Sequence, residues 1–283
     1  MGMWYNHLSK YLLKKGYEND PICPCVFIKK SKSEFAIVVV YVANMNLVGT
    51  LEELQKTADY IKHKFEMKDL GKTKYCLDLQ IEHSASGILV HQSTYTKKVL
   101  KRFGMDKAHP LSTLMVIRSL GTKKDPYLPK GDDEMVLSPE VAYLSAIDTA
   151  PAAPTSRHWK GIKNILQYLR GTTNMGLLYS SEWTNTPSFV GYADAGYLFD
   201  QHKGRSQTRY VFICGGTAIS WSSIKQTLVA TSSNHSEILA LHEASREYVW
   251  LRSVIHYIQS TCALSSTIET PTILNEDNAT CIA

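Results

Sequence analysis

The sequence predicts an α/β protein, with a mixed α+β first half and a second half in the order βββαβ that closes on one mixed sheet. Three observations predict it. Strand-like apolar runs broken by short polar or glycine turns recur at residues 25–50, 74–93 and 188–223. Segments of helical period separate them at residues 3–15, 50–67, 93–105 and 156–172. In the second half, three strands precede one long helical stretch, residues 232–260, and a last short strand.

Taken in order, Trp4, Leu8, Tyr11 and Leu12 share one face of a first helix that Gly16 ends. "CVFIKKSKSEFAIVVVYV" reads as two strands around Ser31-Lys32-Ser33. "AIVVVYVANMNLVGT" continues as a hairpin whose polar break is Ala43-Asn44. Thr50, with Glu53 three residues on, predicts a capping box for the next helix. "KYCLDLQIEH" and "GILVHQS" predict a hairpin turning at Ser84–Gly87, and "STYTKKVLKRFGM" a short helix closed by Gly104. Residues 106–140 are charged and carry Pro110, Pro126, Pro129 and Pro139, the composition of a long connection. "SRHWKGIKNILQYLRGT" is a helix with Ser156 as N-cap and Gly171 as stop. Gly215-Gly216 predicts a hairpin inside "TRYVFICGGTAISWSS". The long helix carries Ile238, Leu241, Tyr248, Leu251, Ile255 and Ile258 near one stripe. "TPTILN" is the final strand, and Asp277-Asn278 follow it. These breaks divide the chain into regions 1–147, 148–186 and 187–283.

With 283 residues, 44% of them hydrophobic, the chain can bury a core and is not a disordered composition. Its net charge of +5 is mild, and it is uneven: +4 (21 − 17) over residues 1–150 and +1 (10 − 9) over the rest. That suits a polyanion partner without requiring one. Six cysteines include no C-x-x-C pair, so reduced thiols in a cytoplasmic or nuclear setting are expected rather than a zinc site. The start lacks the plan of a signal peptide, and the longest apolar run, Phe35–Val42, falls far short of the ~20 residues that span a bilayer.

Asp194 lies in or at the end of the first βββαβ strand, Glu237 in the first turn of the long helix, and Asp277 just past the last strand. If the last strand pairs parallel beside the first, their C-terminal ends lie together under the helix start, and the three acids converge. Clustered carboxylates resist ionising unless a cation joins them, and hard oxygen ligands favour Mg²⁺ or Mn²⁺. Such sites cleave phosphodiesters. Each acid also has a structural reading. Asp194 suits a strand-end turn, Glu237 completes a capping box with Asn234 as N-cap, and Asp277-Asn278 suits the cap of a following helix. "LHEASRE" is not a zinc-protease motif, because Arg246 stands where the second histidine belongs.

"VGYADAGYLFDQHKGRSQTRYVF", "GGTAISWSSIKQTLVATSSNHSEILALHEASREYVWLRS" and "LNEDNATCIA" resemble the RNase H domain of copia-type LTR-retrotransposon Pol polyproteins. "YNHLSKYLLKKGY", "DPICPCVFIKK", "VVVYVANMNLVGT" and "FEMKDLGKTKYCLDLQIE" resemble the palm and following region of their reverse transcriptase, in a degenerate, plant-like copy. The resemblance implies a truncated palm/thumb-like region at 1–147 and a shortened connection with a helix at 148–186. An RNase H-like domain, truncated at its C-terminus, is implied at 187–283. It also implies that Asp194, Glu237 and Asp277 are the catalytic, metal-binding acids. In that family two aspartates follow Tyr41-Val42; here Ala43 and Asn44 stand there, so the polymerase site is expected to be lost. A further polymerase aspartate is expected upstream of Met1 and a fourth RNase H acid beyond Ala283. Roughly two dozen residues are expected to be missing after "AYLSAI". "KGDDEM" at residues 130–135 has no flanking strands and reads as a solvated loop, and Arg209, where the family has glycine, is expected to strain a turn. Ile224 replaces the family's lysine. The implied function is weak, Mg²⁺- or Mn²⁺-dependent cleavage of RNA–DNA hybrid. The alternatives are an inert module binding hybrid or single-stranded nucleic acid, or a fossil without a selected role.

Overall fold

The computed structural model describes residues 3–31, 33–42, 44–113, 130–138, 155–181, 189–200, 203–264 and 273–282. The protein is α/β, and its described residues form three four-stranded sheets with helices. In chain order the first elements are α1 (Met3–Lys14), β1 (Glu18–Asn19), β2 (Val26–Ser31), β3 (Glu34–Tyr41), β4 (Asn44–Gly49) and α2 (Leu51–Lys64). Then come β5 (Tyr75–Cys76), β6 (Leu79–Ser84), β7 (Gly87–His91), α3 (Ser93–Arg102), α4 (Ser156–Gly171) and β8 (Gly176–Ser180). The last are β9 (Phe189–Asp200), β10 (Arg205–Cys214), β11 (Thr217–Lys225), α5 (Ser233–Cys262), β12 (Ile273–Asn275) and α6 (Ala279–Ile282). By contacts the chain divides into one unit of residues 1–73 and 183–283, and another of residues 74–182.

In the first unit, β1-β2-β3-β4 form an antiparallel sheet in sequential order. The near-continuous apolar run of β3 has a physical reason, since both its faces are covered. Ala36, Val38 and Val40 pack with Leu8 and Leu12 of α1 and Ile61 of α2. Ile37, with Phe35 and Val39, packs instead with Tyr257, Ile258 and Cys262 at the far end of α5. The capping box expected at Thr50 and Glu53 does not form. The Thr50 hydroxyl turns back to Glu34 and to the Phe35 backbone, and Glu53 is buried in an ion pair 2.8 Å from Lys29. A nearby buried carboxylate and cation outcompete an exposed cap.

The other sheet of this unit runs β11-β10-β9-β12. The β10–β11 hairpin turns on Gly215 and Gly216 at φ 58° and 78°, with Cys214 paired to Thr217. Both turn residues need positive φ, which is why two glycines serve there. As the βββαβ order predicts, β12 lies parallel to β9. Helix α5 covers this sheet through Ala244 and Leu251, over Phe189, Ala193 and the fully buried Phe212. The expected apolar stripe begins later than its pattern suggests, because Ile238 is exposed and Glu237 and Ala240 face inward.

The second unit pairs β5-β6-β7-β8 antiparallel and packs α3 on α4 through Leu100, Ile162 and Leu166. Sequence pattern missed β8, a five-residue run with no flanking partner signal. It also missed the reversal between β5 and β6, where Leu77 and Asp78 take φ 51° and 62° without glycine. The N-cap of α4 is Thr155 rather than Ser156; its amide donates to Nδ1 of His158. In "KGDDEM", Asp132 and Asp133 are exposed in a turn; Pro126, Pro129 and Pro139 lie outside the described residues.

Candidate metal centre

The β9–β12 register explains how distant residues meet. Asn275, the last residue of β12, pairs with Tyr192, so Asp277, two residues past that strand, comes beside Asp194, two residues further along β9. Asp194 lies within β9, not at its end. Helix α5 supplies the third acid. Its N-cap is Ser232, whose hydroxyl accepts from the His235 amide, so Asn234 is no cap and Glu237 sits beyond the N3 position. The capping-box reading of Glu237 is therefore overturned, because the cap falls two residues earlier than expected. Glu237 instead accepts a hydrogen bond from the backbone N–H of Ala195, next to Asp194. The cap of α6 falls to Asn278, whose side-chain oxygen accepts from the amides of Thr280 and Cys281.

One carboxylate oxygen from each of Asp194, Glu237 and Asp277 lies within 4.8 Å of the other two. Among the described residues this is the one such group of three potential ligands. Glu237 is 7% exposed, and its Oε2 is buried without a hydrogen-bond partner. Burial, helped by the charges of Glu276, Asp194 and Asp277, pushes its pKa from 4.5 up to about 7. A buried oxygen that accepts nothing, among like charges, is costly as it stands and suits a hard divalent cation. The donor set, three carboxylates, offers hard oxygens rather than the thiolates that suit a soft metal.

Two further residues shape this centre. Glu276 accepts from the amides of Asp277 and Asn278, each at 3.1 Å, and its other oxygen is buried and unpartnered. Burial raises its pKa as well. Its adjacency to Asp277 was the available sequence signal. Arg209 lies within β10 directly opposite Asp194, and its Nη1 donates to Asp194 Oδ2 at 3.0 Å. Arg209 has no positive φ, so the strain expected at that position is absent.

At the other hairpin, Tyr41 pairs with Asn44 and leaves a two-residue connection in which Val42 has φ 50°. Tyr41, Val42 and Asn44 are exposed; Ala43 lies outside the described residues. Asn44 offers a neutral amide there. No helix among the described residues is long and apolar enough to cross a membrane.

Residues 1–117 match the family described as reverse transcriptase (RNA-dependent DNA polymerase). The chain is 32% identical over 274 residues to the retrovirus-related Pol polyprotein from transposon TNT 1-94 of Nicotiana tabacum, covering 88% of this chain and 20% of that one. It is 29% identical over 265 residues to the corresponding polyprotein from transposon RE1 of Arabidopsis thaliana, covering 89% of this chain and 18% of that one. An uncharacterized mitochondrial protein of Arabidopsis thaliana is 27% identical over 228 residues, covering 75% of this chain and 93% of that one. The chain thus spans about a fifth of the length of the polyproteins it matches. No solved structure matches it.

Proposed function

The chain belongs to the retrovirus-related Pol polyproteins of copia-type transposons, and on that premise we propose that it is a reverse transcriptase/RNase H homologue that has lost synthesis and keeps a hybrid-cleaving centre. The observation that carries this reading is the meeting of Asp194, Glu237 and Asp277 within 4.8 Å around a buried, unpartnered oxygen. In this reading residues 1–147 are the palm-like part, 148–186 the connection, and 187–283 the RNase H-like part. A divalent cation bound at the three acids would supply the charge that activates a water and stabilises the departing oxygen. The protein's own part is to hold three carboxylates at fixed spacing. Asp194 does this from β9, Asp277 from just past the end of β12, which is hydrogen-bonded to β9, and Glu237 from a helix tied to β9 through the Ala195 amide. Glu237, its pKa pushed up to about 7, must release its proton to ligate, so cation binding should tighten as pH rises through that value.

The test is incubation of the purified chain with RNA–DNA hybrid, single-stranded RNA and duplex DNA, with Mg²⁺ or Mn²⁺. The reading expects slow scission of the RNA strand of the hybrid alone, abolished by chelation. Hybrid left intact under all conditions, while nucleic acid still binds, would favour the second reading, an inert binding module. The ion pair from Arg209 to Asp194 favours that reading.

Two outcomes are expected besides. No nucleotide incorporation should occur on a primed template, since Ala43 and Asn44 bring no carboxylate to the hairpin. Primer extension by the purified chain would contradict it. Hybrid binding, measured by fluorescence anisotropy, should weaken roughly fifty- to a hundred-and-fiftyfold across a fourfold rise in salt, as expected for about four phosphate contacts. Affinity indifferent to salt would point to a base-reading surface instead.

A further inference from the structure

We propose that Arg209 is a built-in counter-cation of the carboxylate centre, which competes with the divalent ion at Asp194 and holds the site to weak, single-ion binding. The inference rests on the metal-centre reading above and adds a charge that the reading does not contain. Arg209 and Asp194 are directly opposed across the β9–β10 ladder, so the strand register itself brings the guanidinium to the acid. Nη1 lies 3.0 Å from Asp194 Oδ2. The guanidinium also lies 5.1 Å from the centre of the Phe199 ring, and that stacking fixes it without needing the ion pair. Gly196 leaves room for the other arm of the fork, since a Cβ there would stand 3.1 Å from Nη2. Among the described ion pairs, Arg209 is the cation that reaches any of the three acids.

Both side chains are half-exposed, so the pair adds little to folding stability. Its consequence is local. One Asp194 oxygen is committed to the guanidinium, which leaves the other for a metal. A fixed positive charge a few ångströms from a divalent cation repels it, even through a largely aqueous dielectric. The centre therefore keeps enough negative charge for one ion and too little for a closely spaced pair.

The test is Mn²⁺ alone, titrated into the full chain and into Arg209→Gln and Arg209→Lys, with free Mn²⁺ read by electron paramagnetic resonance. Glutamine keeps the three-carbon stem and a polar tip and removes the charge; lysine keeps the charge. The pH is held above Glu237's value of about 7. The expected result is one weakly bound ion in the parent and in Arg209→Lys, and roughly tenfold tighter binding in Arg209→Gln. Equal affinity in all three proteins overturns the inference and leaves the metal centre standing. Equal gains in the lysine and glutamine variants overturn it too, because bulk and not charge would then be at work. Absence of Mn²⁺ binding in all three overturns the metal centre itself, and the inference with it.

Discussion

Glu237→Gln is expected to abolish divalent-cation binding and, in the metal-free protein, to remove a pH dependence of stability worth about 3 kcal/mol. The sign follows from the direction of the shift. Glu237's folded pKa, about 7, lies above its ordinary 4.5, so the folded chain binds the extra proton between those values. Its contribution to stability is complete below pH 4.5 and is lost as pH rises through 7. Glutamine still accepts the Ala195 amide hydrogen bond and carries no charge, so the variant's stability should fall less than the parent's over this range, the remainder coming from groups such as Glu276, whose pKa burial also raises. Above pH 7 the parent should regain stability with Mn²⁺ or Mg²⁺, and the variant should not. The measurement is denaturant unfolding of both proteins over pH 4–8, with and without the ion. Parallel curves, or equal stabilisation by the ion, would remove Glu237 from the centre.

Phe212→Ala should cost about 3–5 kcal/mol, as expected for deleting a fully buried aromatic ring. Phe212 is 0% exposed and meets Phe189 at 5.6 Å, Tyr210 at 5.7 Å and Tyr248 at 6.4 Å between ring centres. Those rings tie β9, β10 and α5 together, and the same strand and helix carry Asp194 and Glu237. Cation affinity should therefore fall with stability, although Phe212 ligates nothing. Unfolding free energies for parent and variant decide it; a cost under 1 kcal/mol would show that the four-ring cluster is loosely packed.

The hairpin turn at Gly215-Gly216 was legible because its chemistry is local. The caps were not. Thr50 and Asn234 each satisfy the sequence rule, yet one hydroxyl prefers Glu34 and the other helix starts two residues earlier. Those choices depend on what lies beside the helix end, which no short window contains. The short strand β8 was invisible for the same reason, since its partner β7 lies about ninety residues earlier in the chain.

The sequence by itself determined the α/β class, the βββαβ order, the absence of carboxylates at Ala43-Asn44, and which three acids are candidates for one site. Order and residue identity are one-dimensional, and local periodicity encodes them. Only the tertiary structure decided that β12 pairs with β9 in the register that brings Asp277 beside Asp194, and that Arg209 faces Asp194 across β10. The second of these passes through an irregularity near Leu198, at φ 49°, that shifts the count between the strands. It also decided that the end of α5 covers the outer face of β3, joining Cys262 to Ile37. Register and packing come from pairing between distant segments, where one residue of slip turns every side chain to the other face, and so they are fixed only when the whole core forms.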